Sequence, residues 1–193
     1  ISFYGSVFGG VLILYLFANS RKLIFNDLVD YFITPLFVAL VFGKIGAFFS
    51  GVEIGTKTNF LLKLKYVGFD GARHLVCLYE GLILIIGLLI AYKILFEIRK
   101  EKYYKGFLLK FFLWFLALTI FLFDKIKDNR LYFVGLSLDF LVSSIILLTI
   151  SFHFVYYFRN GILSFIKYYG QNFFKAIRFR TKKKVGGGKE KKS

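Results

Sequence analysis

Residues 43–55 read Gly-Lys-Ile-Gly-Ala-Phe-Phe-Ser-Gly-Val-Glu-Ile-Gly, straight after the apolar run Leu36–Phe42. Four glycines and two charges thus fall where a membrane-crossing helix should meet its boundary. Glycine permits close backbone approach and positive φ. Irregular backbone at membrane depth survives only when buried in protein or lining a wet cavity. The expectation is therefore a structural turn over Gly43–Gly55, built on Gly43, Gly46, Phe48, Gly51 and Gly55, with helices placed around it. An ionised lysine in hydrocarbon is costly, so Lys44 is a site candidate. It either snorkels to an interface or points into a polar cavity toward a lipid phosphate.

Composition fixes the class. The chain has 193 residues, 58% hydrophobic and 21% aromatic, with mean hydropathy +0.66 and a net charge of +16. A soluble domain is about half apolar and less aromatic. This is an all-α polytopic membrane protein with about five transmembrane helices, its basic residues kept in loops and in the last third. The single cysteine, Cys77, excludes an internal disulfide and reads as a small buried hydrophobe. No metal and no cofactor are expected.

Working outward, residues 1–158 form the transmembrane domain. Upstream lies a short span, Phe3–Ala18, with glycines at 5, 9 and 10 that suit close helix packing. The second span, Leu28–Phe49, has Asp30 near its start, where an acid favours a helix N-terminus, and Pro35, which should kink it. Val52–Ala72 is too polar to cross, and Asn59–Val67 alternates enough for a short strand. The third span, His74–Ile98, carries Glu80, which needs a partner when buried; Lys44 and Tyr4 are the candidates. Spans four and five are Gly106–Phe123 and Phe133–Phe158, the latter with Asp139 inside its apolar run and His153 as a packing residue. Residues 159–180 are aromatic and basic, as in an interfacial amphipathic helix. Residues 181–193 form a flexible polybasic tail suited to anionic lipid; nucleic acid is disfavoured for want of an aromatic platform. The Lys and Arg excess in the first loop, third loop and tail puts the C-terminus in the cytoplasm and the N-terminus outside.

Two stretches resemble the prolipoprotein diacylglyceryl transferases. That family closes a transmembrane helix with Gly-Arg-x-Gly-Asn-Phe-x-Asn-Gly-Glu, and Gly43, Gly46, Phe48 and Gly51 match it, with Gly55 and Thr58 continuing the pattern. Its arginine is Lys44 here, its asparagines are Ala47 and Ser50, and its glutamate falls on Val52, with Glu53 one place late. The second stretch resembles Arg-His-Pro-x-Gln-Leu-Tyr-Glu, matched at Arg73, His74, Leu78, Tyr79 and Glu80. A histidine in the first helix of the family corresponds to Tyr4, and an arginine and glutamate of its fourth helix to Leu118 and Leu122. Lys125 and Lys127 stand near enough in sequence to compensate.

The resemblance implies transfer of a diacylglyceryl group from phosphatidylglycerol to a lipoprotein cysteine in a bacterial inner membrane. That chemistry needs a thiolate and a donor to the leaving phosphate, and arginine binds phosphate bidentately where lysine offers a point charge. The changed polar positions imply a catalytically degenerate member, a lipid-holding scaffold or subunit, with Lys44, Arg73, His74, Tyr79 and Glu80 as lipid-binding candidates and the catalytic residues unassigned. Two alternatives stay open. One is an active transferase with rewired residues, and the other is an unrelated small membrane subunit of a larger complex, with partner subunits.

Overall fold

The structure is a computed structural model, described over residues 3–128, 132–133 and 136–161. Five helices account for most of it: α1 (Phe3–Ser20), α2 (Phe25–Ser50), α3 (Val76–Arg99), α4 (Phe107–Phe123) and α5 (Leu138–Gly161). A 3-10 turn, Asp124–Ile126, extends α4. The described residues also form two minimal hairpins, β1 (Lys63–Leu64) with β2 (Arg73–His74) and β3 (Tyr132–Phe133) with β4 (Leu136–Ser137). The 26 residues of α2 rise about 39 Å, enough for a hydrocarbon core of about 30 Å. Four helices (α2, α3, α4 with its 3-10 extension, and α5) are long and apolar enough to cross; α1 is shorter. Residues 159–161 of the expected interfacial helix are the end of α5, and the rest of it, with the polybasic tail, lies outside the described residues.

The chain divides within α5, after Leu148. The first unit holds a core shared by α2, α3 and α4, around the fully buried Ile33, Phe37, Leu84 and Phe112. Phe37 meets Phe112 edge-on, ring centroids 5.0 Å apart at 88°, the arrangement the ring quadrupoles favour. Gly87 makes this possible, since a Cβ there would collide with Phe115 and lie 2.9 Å from Phe37. Of the second unit, the described part is the remainder of α5, with His153 beside Phe154.

The expected turn at Gly43–Gly55 is only half a turn. Helix α2 runs unbroken through Gly43, Gly46 and Phe48 to Ser50, and the chain leaves it at Gly51, in the left-handed region at φ +64°. The reason is energetic. A helical glycine costs about 1 kcal/mol against alanine, less than the several kcal/mol of a backbone group left unpaired in hydrocarbon.

Two further expectations shift. The third helix begins at Val76, because His74 is drawn into backbone pairing: its N–H donates to Thr56 O at 3.1 Å and it sits opposite Lys63 in the hairpin. Asp30 does not serve its own helix. Its Oδ2 accepts the Gly106 N–H at 2.7 Å and so caps α4, whose chain enters through Gly106 at φ +88°. An Asp is a good N-cap wherever it reaches the open donors, and here it reaches them from another helix.

Candidate functional site

The segment after Gly51 is stitched to two neighbours at one end of the helices. Thr56 N–H donates to Ile126 O at 2.9 Å and Asp128 N–H to Ile54 O at 3.0 Å, while Thr58 N–H donates to Ala72 O at 2.9 Å. Gly55 sits at the crossing, where a Cβ would lie 2.5 Å from His74 O. Only glycine fits there. The stitching carries Glu53 and Lys127 over the ends of α2 and α3 and assembles a charged cluster.

Lys44 and Glu80 meet, as their sequence positions anticipated. Lys44 Nζ lies 2.5 Å from Glu80 Oε2, and Lys127 Nζ takes Oε1 at 2.7 Å. The Glu80 side chain is 1% exposed, and the two lysine side chains are 13% and 14% exposed. Each carboxylate oxygen thus holds its own cation, which is what makes so deeply buried an acid tenable. Lys44 is further held by both oxygens of Glu53, each at 2.8 Å. Burial pushes the Glu53 carboxyl up, but Lys44 and Lys127 outweigh it and hold the group below the usual carboxylate value. The Cys77 thiol leans on the same Glu53 Oε2 at 3.4 Å.

The three other candidates, Arg73, His74 and Tyr79, have partners outside this cluster. Arg73 pairs with Asp128, donates to Gly55 O at 3.1 Å and lies over the Phe69 ring. It is a tie between loops. His74 and Tyr79 belong to an aromatic group with Phe60 and Phe123, lining an open cleft of about 400 Å³. The Tyr79 hydroxyl donates to Leu62 O at 2.5 Å, so it does not share the Lys44–Glu80 notch.

Behind the charges, α5 starts with a serine doing two jobs. Ser137 Oγ accepts the Phe140 N–H at 3.0 Å and donates to Asp124 Oδ1 at 2.6 Å. The sequence reading missed Ser137 as a cap; its signal was a serine three residues ahead of Phe140 at the start of an apolar run. Asp139, for which a partner was expected, lies in the combined field of Lys127 and of the acids Asp124, Glu80 and Glu53. Tyr4 is buried beside Ser143, facing the same acids. No group of acids, histidines and cysteine suited to a metal ion occurs among the described residues.

Between α2 and α3 lies a wholly apolar cleft of about 280 Å³, lined by Val41, Ile45, Phe48, Leu82 and Ile85 and by the side chain of Lys44, which offers it no polar surface.

A model of the family described as prolipoprotein diacylglyceryl transferase matches residues 1–157. Relatives named phosphatidylglycerol–prolipoprotein diacylglyceryl transferase include one from Aliarcobacter butzleri, 33% identical over 77% of this chain and 54% of its own length. Another, from Chlorobaculum tepidum, is 32% identical over 56% of this chain and 37% of its own. A third, from Ehrlichia ruminantium, is 26% identical over 66% of this chain and 50% of its own. The chain thus spans about half or less of the length of these relatives. No solved structure matches.

Proposed function

Since the chain belongs to the prolipoprotein diacylglyceryl transferase family, we propose that it holds a membrane phospholipid, phosphatidylglycerol above others, and does not transfer its diacylglyceryl group at a useful rate. It is an integral membrane protein, and the bacterial origin of its relatives favours the inner membrane, with the charged cluster toward the outer leaflet. The unrelated-subunit alternative falls with family membership.

One observation carries the reading. The cation at the family's arginine position, Lys44, is held by two carboxylates, Glu53 at 2.8 Å and Glu80 at 2.5 Å. A leaving phosphate needs a donor free to receive its charge, and losing one such donor typically costs about 10²–10³-fold. Helix α4 adds no acid and no arginine, and Tyr4 offers a phenol where a base that titrates near neutrality would serve. The apolar cleft between α2 and α3 favours retention of a lipid chain.

An active transferase with rewired residues is the competing reading, favoured by Lys127, whose ammonium supplies a second positive charge at Glu80. The test is complementation of a strain depleted of its own transferase, with lipoprotein mobility as readout. We expect no lipidation. Restored lipidation of the acceptor thiol would establish the active reading instead.

A further inference from the structure

The lipid-holding reading leaves a question of occupancy, because Lys44, whose side chain lines the cleft, already has its ammonium held by an anion from the chain itself. Glu53 and Glu80 both bind Lys44, but they are not alike. Glu80 lies in α3, is 1% exposed and is held from the other side by Lys127. Glu53 lies on the segment after α2, past the left-handed Gly51, and is 32% exposed. Its two oxygens sit 2.8 Å from the ammonium of Lys44, a residue whose side chain lines the apolar cleft. A carboxylate with two oxygens on one ammonium presents the same charge and acceptor pattern as two oxygens of a phosphodiester.

The geometry points to Glu53 as a built-in competitor that occupies the headgroup position of the lipid site and must swing away before an anionic phospholipid can engage Lys44. The proposal rests on the lipid-holding reading and adds its regulation. Glu80 stays as the fixed counter-ion, because removing it would strand two buried ammoniums. Glu53 has the means to leave. It is partly solvated, it is the nearer of the two to water, and its charge loses less on returning there than a fully buried one. Once Glu53 withdraws, Lys44 can bond a phosphate while keeping Glu80. A zwitterionic lipid gains less from the exchange, so displacement also selects for net negative headgroups.

The experiment uses the full chain, purified in detergent, incubated with vesicles of equal parts phosphatidylglycerol and phosphatidylethanolamine, and read by native mass spectrometry for retained lipid. Glu53→Gln should raise phosphatidylglycerol retention by about tenfold over the parent, in line with removing one charge-assisted competitor, and leave phosphatidylethanolamine little changed. Glu53→Asp, whose shorter arm reaches Lys44 less well, should fall between them. Adding Lys44→Leu to Glu53→Gln should abolish the gain. Thermal unfolding of each variant confirms that it is folded. If both folded Glu53 variants retain no more phosphatidylglycerol than the parent, or less, Glu53 is a structural tie and the proposal is overturned. Ile85→Trp, which fills the cleft, separates the two claims. Undiminished lipid in that variant would overturn the lipid-holding reading itself, whatever Glu53 does.

Discussion

The two ends of α2 treat charge in opposite ways. At the end near Gly51, the charges converge in side-chain pairs around the buried Glu80: Lys44 with Glu80 and the half-exposed Glu53, and Lys127 with Glu80. At the other end, Asp30 is equally buried but spends its charge on backbone, capping α4 through Gly106. The nearby Asp27–Lys105 pair lies at the surface, 2.8 Å across with the lysine 64% exposed. The difference teaches that a buried acid is tolerable in two distinct ways, by facing cations or by facing open helix donors. Only the first leaves a site that a ligand anion could enter. An end built on caps is structural. An end built on exchangeable ion pairs can become functional.

Breaking the cluster should have the largest effect. Glu80→Gln leaves the Lys44 and Lys127 ammoniums facing a neutral group, and losing one partner of a buried pair costs about 3–5 kcal/mol. We expect a large drop in the thermal unfolding midpoint in detergent. A midpoint within a degree or so of the parent would mean that the cluster is solvated and the contrast between the ends is false.

Asp30→Ala tests the opposite end. Losing an N-cap costs about 1–2 kcal/mol, so this variant should unfold at lower temperature than the parent but above Glu80→Gln. Asp30→Asn should recover much of the loss, because an asparagine oxygen still accepts from the Gly106 N–H. Failure of that rescue would show that the charge, and not the cap, matters at this end too.

A smaller effect should appear in the acid limb of stability. Glu53 is held below the usual carboxylate value, so the folded state binds its proton less readily than the unfolded chain. Its contribution is therefore complete above the unfolded carboxylate pKa of about 4.3 and is lost as pH falls through the lower folded value. The unfolding midpoints of the parent and Glu53→Gln should differ at neutral pH and converge in acid. A gap that persists unchanged below pH about 3 would assign the effect to something other than the ion pair.

The smallest change belongs to Lys105→Ala. Its partner Asp27 is at the surface, where ion pairs contribute little, so the unfolding midpoint should not move measurably. A clear loss would mean that the exposed end also depends on charge, and that its difference from the buried end is one of degree.

Much of the architecture was legible because a bilayer punishes unpaired backbone so heavily that apolar runs of sufficient length must become helices. Composition and hydropathy placed the helices within a few residues. The glycine-rich stretch misled because glycine signals freedom, and only the surrounding medium decides whether that freedom is used. Gly43 and Gly46 stayed helical, while Gly51 took the left-handed turn. Lys44 and Glu80 could be paired from the rule that intramembrane charges need partners. That rule did not say which of several partners, and it could not anticipate Lys127, which arrives only because Asp128 and Ile54 join their backbones.

What the sequence by itself determined is the class, the number and approximate bounds of the helices, and the family, carried by the motifs at 43–58 and 73–80. What only the tertiary structure decided is which charges meet. Helix formation is settled by local pattern and solvent over a few turns of chain. Ion pairing depends on distances of a few ångströms between residues far apart in sequence, as with Lys127 and Glu80 at 2.7 Å. Those distances are fixed by the packing of Phe37 against Phe112 and by the close crossing at Gly55, where the chain passes over His74 with no room for a side chain.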